Sequence, residues 1–171
     1  MFKRFYPKTY LENIYQIDFA RLKKNGVAGL IFDIDNTIAP FDIPEPDDRI
    51  TDFFVKLTGM GFKVCLLSNN NEGRVALFNK KLKLFAIHSA GKPKLSGINK
   101  ALGLLGTTPD QTVLIGDQVF TDIWCGNRKG IYTVLVKPIA QRDEWTVRLK
   151  RGAEKIVVKA YLAYIKKGGQ V

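Results

Sequence analysis

Short apolar runs recur along the chain, and each gives way to a turn or to a stretch with helical spacing. The runs cover residues 28–32, 62–67, 84–87, 112–115 and 131–136. They are brief and rich in β-branched and aromatic residues, as expected of strands buried on both faces. Between them, Ile50, Phe53, Phe54 and Leu57 fall at i, i+3, i+4 and i+7, introduced by Pro46-Asp47-Asp48 and stopped by Gly59-Met60-Gly61. Residues 72–82, 94–104 and 120–129 follow the same amphipathic pattern, the last ending at Gly130. Alternation of strand and helix predicts an α/β fold with a central parallel sheet covered by helices on both faces. No internal repeat, low-complexity tract or interdomain linker interrupts it, so residues 1–171 are expected to form one domain. A basic N-terminal segment (1–25) and a basic C-terminal helix (about 142–167) should flank the alternating core.

Polar residues gather directly after these runs. Asp33 and Asp35 follow the first, Ser68-Asn69-Asn70-Asn71 the second, and Gly116-Asp117-Gln118 the fourth, while Lys92 lies in the loop after the third. The ligand site of an open parallel sheet lies off the carboxyl ends of its strands, so the four segments should converge on one rim. Residues i and i+2 of an extended segment point the same way, which aims Asp33 and Asp35 at one place, with the Thr37 hydroxyl two residues further on. Crowded carboxylates raise each other's pKa unless a cation offsets them, and oxygen ligands of this kind suit Mg²⁺. A carboxylate beside such a metal can attack phosphorus and form an aspartyl-phosphate.

Metal-assisted phosphoryl transfer needs a nucleophile, a proton donor for the leaving alkoxide, a cation and fixed donors for the phosphoryl oxygens. Asp33 is placed as nucleophile and Asp35 as the acid that protonates the leaving group and later activates water. Ser68, with backbone amides near Asn69 at a strand-to-helix turn, suits the phosphoryl oxygens. Lys92 supplies charge to the same oxygens, with Lys94 as its rival, and Pro93 fits the first turn of the next helix. Asp117 completes the metal's carboxylate set, and Asp122 is either a further ligand or a group that orients the ligands. Taken singly each has a plainer explanation: an acidic turn, a helix cap, a solvated lysine. Their order on successive strand ends is what carries the assignment.

Composition narrows the setting. An apolar fraction of 46% excludes disorder. Cys65 and Cys125 lack metal-ligand spacing and suit a reduced core. The single histidine, His88, argues against Ser-His-Asp catalysis and His-rich zinc sites and is expected to be a structural loop residue. No apolar stretch reaches the ~18–20 residues of a membrane span, and the first residues lack the apolar core of a signal peptide, so a soluble cytoplasmic protein is expected. A net charge of +11 favours anionic partners: phosphorylated metabolites, anionic membrane or nucleic acid.

Asp33-Ile34-Asp35-Asn36-Thr37, Leu67-Ser68-Asn69, Lys92-Pro93 and the string from Gly116 to Asp122 together resemble the four motifs of haloacid dehalogenase (HAD) superfamily phosphatases. The longer string GDQVFTDIWCGNRKG, from Gly116 to Gly130, and the segment from Pro7 to Asp18 are similar to the YqeG-type branch of subfamily IIIA. The resemblance spans nearly the whole chain. It implies a three-layer Rossmann-like fold, Mg²⁺ dependence and an aspartyl-phosphate on Asp33, with Asp35 as acid/base. It places Asp33, the Asp35 main-chain carbonyl and Asp117 on the metal, and Ser68 and Lys92 on phosphate. Relatives of this branch are associated with phosphatidylglycerophosphate.

Two sequence features bear on that substrate. Neither gap between the first three motifs has room for a cap domain, and an uncapped site suits a large or surface-presented phosphate. Both termini are basic with interleaved aromatics, among them Phe2, Phe5 and Tyr6, which could sit at the headgroup level of an anionic bilayer at the inner face of the membrane. The alternatives are a phosphatase for a soluble sugar or nucleotide phosphate and, from another class, a nucleic-acid-binding module. The last would show steeply salt-dependent binding, but no helix-turn-helix, RNP or zinc-finger pattern accompanies it, so no nucleic acid is expected.

Overall fold

The structure, a computed structural model, describes residues 2–140 and 145–169; the side chains of 145–151 are not described. Six strands form one wholly parallel sheet: β1 (Thr9–Leu11), β2 (Gly29–Phe32), β3 (Lys63–Leu67), β4 (Phe85–Ile87), β5 (Thr112–Gly116) and β6 (Tyr132–Val136). Their spatial order is β1-β6-β5-β2-β3-β4. The five predicted runs are five of these strands, each within one residue of its expected start and end. β1 is a sixth, unpredicted strand that pairs Thr9 with Val134 and Leu11 with Val136 at the sheet edge.

The helices are α1 (Phe19–Lys24), α2 (Asp48–Gly59), α3 (Glu72–Leu82), α4 (Leu95–Leu105), α5 (Trp124–Lys129) and α6 (Trp145–Lys166). Alternation within each strand divides the core. Leu30, Phe32, Leu66 and Ile115 face one layer built on Phe19 of α1, Phe54 and Leu57 of α2 and Phe78 of α3. Ile31, Cys65, Leu67 and Leu114 face the other, with Ile98, Ala101 and Leu105 of α4 and Cys125 of α5. Both cysteines are free and buried, and burial pushes their thiols up, to about 12 at Cys65 and about 11 at Cys125.

This layering fixes the site. From β2 the chain turns to one face through α2, whereas β5 is reached through α4 and left through α5 on the other. β2 and β5 are nonetheless neighbours, with Phe32 opposite Ile115. Their carboxyl ends form the crevice where the winding reverses, which is where such sheets hold ligands. Between β2 and β3 lie only a loop and α2, and between β3 and β4 only α3. No cap domain is inserted there.

Three expectations need correction. The helix expected over 120–129 begins with a π-helical turn, Val119–Ile123, before α5. Pro93 is not in the first helical turn: α4 starts at Leu95 with Lys94 as its N-cap, and Pro93 sits in the preceding turn. The N-terminal aromatics are largely core. Tyr6 is buried against Tyr161, with ring centroids 5.5 Å apart, and Phe5 packs edge-on against Phe120 and Trp124. Of the three residues expected at a bilayer surface, only Phe2 is exposed. The C-terminal helix appears as α6; positions 142–144 of its expected range lie outside the described residues.

Candidate active site

The backbone amide of Asp33 donates to the Ile115 carbonyl at 2.9 Å, so Asp33 extends the β2–β5 ladder by one residue and is fixed in the crevice. Across from it Asp117 follows Gly116 at the end of β5. Asp122 is delivered by the π-helical turn, a distortion that often marks functional sites. Its carboxyl lies so close to Gly116 that a Cβ there would collide with it, which accounts for glycine at that position. One carboxylate oxygen from each of Asp33, Asp117 and Asp122 lies within 4.8 Å of the others, and all three residues are buried.

Lys92 answers this charge. Its ammonium donates to Asp33 Oδ1 at 2.5 Å and to Asp122 Oδ1 at 2.6 Å, with the side chain only 2% exposed. Burial works to lower its pKa, but Asp122 and Asp33 outweigh that and hold it above the ordinary lysine value. Lys94, its sequence rival, is exposed, so the geometry selects Lys92. Asn69 fixes the Lys92 backbone from both sides: Asn69 Nδ2 donates to the Lys92 carbonyl at 3.0 Å and the Lys92 amide donates to Asn69 Oδ1 at 2.7 Å. Thr37 Oγ1 lies 3.2 Å from both Asp33 Oδ2 and Asp117 Oδ1. Burial drives the Asp33 carboxyl well above the usual range, Lys92 pulls against it, and Asp122 and Asp117 push the same way as burial.

Among the described residues, three buried carboxylates and one ammonium meet here. An all-oxygen, carboxylate-rich donor set fits a hard divalent cation such as Mg²⁺.

Asp35 does not join this cluster, contrary to the expectation that it shares a target with Asp33. β2 ends at Phe32, so the two-residue alternation of a strand no longer governs Asp35. The chain turns back: Ile38 N donates to Ile34 O at 2.9 Å, Asn36 adopts a left-handed φ of 62°, and Asp35 bridges to Ala39. The Asp35 carboxylate faces the end of β3 instead. Its Oδ1 accepts from Arg74 Nη2 and Nε at 3.0 and 3.3 Å, and its Oδ2 lies 3.4 Å from Asn70 Nδ2 and 3.5 Å from Ser68 Oγ. Ser68 is buried, and its Oγ accepts from the Asn70 amide at 3.0 Å. Arg74 and Asn70 were not among the sequence candidates. The signal for Arg74 was its position: it stands in the first turn of α3, where the helix dipole disfavours a cation.

The geometry therefore defines a metal-ready acidic cluster with a buried lysine, beside a half-buried carboxylate and a hydroxyl at the next strand end. The HAD-hydrolase-like family model matches residues 89–160. The chain is 37% identical over 161 residues to the "Probable phosphatase YqeG" of Bacillus subtilis (strain 168), covering 94% of each protein. It is 26% identical over 167 residues to "Phosphatidylglycerophosphate phosphatase 1, chloroplastic/mitochondrial" of Arabidopsis thaliana, covering 91% of this chain and 48% of that one. Among solved structures, the cobalt-bound deoxy-D-mannose-octulosonate 8-phosphate phosphatase of Haemophilus influenzae shares the fold at a TM-score of 0.53 and 15% identity, over 81% of this chain and 91% of that one. The chain belongs to the haloacid dehalogenase superfamily of hydrolases. Within it, this is a phosphatase of the kind typified by YqeG.

Proposed function

We propose that the protein is a Mg²⁺-dependent phosphomonoesterase that acts through an aspartyl-phosphate on Asp33, with phosphatidylglycerophosphate as substrate and phosphatidylglycerol as product. The carrying observation is the buried set of Asp33, Lys92, Asp117 and Asp122 at the β2–β5 crevice. Asp33 and Asp117, with the Asp35 main-chain carbonyl that the family resemblance assigns and Asp122 alongside, would hold Mg²⁺. Bound there, it offsets charge on the carboxylates and the phosphoryl oxygens.

The protein groups divide the remaining work. A carboxylate oxygen of Asp33 forms a bond to phosphorus as the bond to the leaving oxygen breaks. Asp35, carrying a proton, passes it to that oxygen and the alcohol departs. Asp35 then takes a proton from water as the water oxygen attacks phosphorus, the bond to Asp33 breaks, and inorganic phosphate leaves with the carboxylate restored. Ser68 and the amides after β3 hold the phosphoryl oxygens. Lys92 stabilises the charge that develops on them.

For the lipid, support comes from the plant relative, the uncapped rim and the surface of α6. Glu154 Oε1 of α6 accepts from the Phe120 amide near the crevice, while Tyr161 reaches Tyr6 by the start of β1. The helix thus runs from the catalytic rim toward the amino edge of the sheet. Away from its buried side it exposes Ile156 (63%), Leu162 (49%) and Ile165 (41%) as well as Lys155, Lys159 and Lys166. That mixture suits an anionic bilayer, so the enzyme would work in the cytoplasm at the inner face of the membrane. Among the described residues no helix is long and apolar enough to cross one.

The test is phosphate release in Mg²⁺ from phosphatidylglycerophosphate in mixed micelles, set against soluble sugar and nucleotide phosphates. The lipid should be the preferred substrate, and the protein should bind phosphatidylglycerol vesicles and leave them as salt rises. Faster turnover of a soluble phosphate, with no vesicle binding, would replace the lipid assignment. Deleting residues 1–10 cannot serve here, because it removes buried Tyr6 and most of β1.

A further inference from the structure

No step above uses Arg74, yet it is a cation in direct contact with the acid. Its Nε and Nη2 donate to Asp35 Oδ1, and its Nη1 donates to the Pro44 carbonyl at 3.1 Å, tying α3 to the loop that follows β2. The pair is half-open: the Arg74 side chain is 12% exposed and that of Asp35 20%. Three of the five guanidinium N–H groups are used in these contacts, which leaves two for a ligand.

This arrangement sets a cation beside the group proposed to serve the leaving oxygen. The guanidinium grips the Asp35 carboxylate, which Asn70 and Ser68 also approach, so Arg74 stands on the leaving-group side of the site. The two N–H groups that Arg74 keeps suit an anion that meets them there. Phosphodiesters and carboxylates are such anions, because the planar fork of arginine matches two oxygens at once.

We propose that Arg74 determines specificity by binding a second anion on the leaving alcohol, of phosphodiester class. The proposal rests on the phosphatase reading of the Asp33 cluster. It narrows the substrate to phosphomonoesters that carry a diester nearby, as the proposed lipid does, and ties that feature to one residue.

Two water-soluble substrates test it without a membrane: glycerol bearing a phosphomonoester at one end and a glycerol phosphodiester at the other, and glycerol 3-phosphate. Wild type should prefer the first in kcat/KM. In Arg74→Gln the preference should fall about tenfold or more, chiefly through the KM of the diester substrate, with partial recovery in Arg74→Lys. No preference in wild type, an undiminished preference in Arg74→Gln, or equal losses on both substrates with KM unmoved would overturn the proposal. Wild type that hydrolyses neither substrate would overturn the phosphatase reading beneath it. Should Arg74→Gln fail to fold, inhibition of wild type decides: glycerophosphoglycerol should compete with glycerol 3-phosphate and uncharged diglycerol should not. Equal inhibition by both, or by neither, would refute the assignment.

Discussion

Asp33 and Asp35 stand two residues apart and live in different environments. Asp33 is still hydrogen-bonded to β5, lies buried, and is enclosed by Lys92, Thr37, Asp117 and Asp122. Asp35 lies beyond the end of the strand, on a turned-back loop, half-buried and held by Arg74. In the first environment desolvation dominates and a cation must offset the charge. In the second, a guanidinium and partial exposure to solvent surround the carboxylate. One aspartate is thus enclosed and the other lies toward the open side, a division suited to a nucleophile and a proton carrier.

The largest effect expected from breaking this contrast is at Asp33. Asp33→Asn keeps the shape but removes the nucleophilic anion, so turnover should fall by several orders of magnitude with the circular dichroism spectrum unchanged. Retention of a tenth of wild-type rate would move the nucleophile elsewhere. Next is Lys92. Lys92→Ala leaves Asp33 and Asp122 buried without their counter-charge and should cost about 3–5 kcal/mol in urea unfolding as well as activity. Lys94→Ala, at an exposed cap with no side-chain capping bond, should change both little. The reverse ranking would contradict the assignment.

A subtler effect concerns pH. The folded pKa of Asp33 is raised above the ordinary 3.8, so between those values the folded state holds more protons than the unfolded. Metal-free protein should therefore lose stability as pH rises above about 3.8, until the raised value is passed. Thermal melts of Asp33→Asn should show less of this loss, and identical slopes would remove its cause. Mg²⁺ should act in the opposite direction, adding about 2.7 kcal/mol at a hundredfold excess over its Kd. The smallest effect is at Asn69, whose side chain holds the Lys92 backbone by two bonds. Asn69→Ala should cost about 1–2 kcal/mol in urea unfolding, and an unchanged midpoint would deny it that role.

The legible parts of the sequence were those with strong periodicity. α3 spans Glu72–Leu82 as its spacing predicts, and the rule that ligands gather at carboxyl strand ends brought Asp33, Ser68, Lys92 and Asp117 to one rim. The illegible parts depend on tertiary contacts. β1 has three residues and no alternation of its own; its pairing with β6 makes it a strand. The π-helical turn that delivers Asp122 leaves no mark in a pattern of 3.6-residue spacing. The turn of Asp35 toward Arg74 follows from where β2 stops, and an apolar run bounds that point only to a residue or two.

The most direct test of the central claim, that the buried carboxylates at the β2–β5 crevice form a metal-dependent phosphatase site, is phosphate release by the purified protein in Mg²⁺ and then in excess EDTA. Release should stop on chelation and return when Mg²⁺ is restored. Full activity in EDTA would contradict the account.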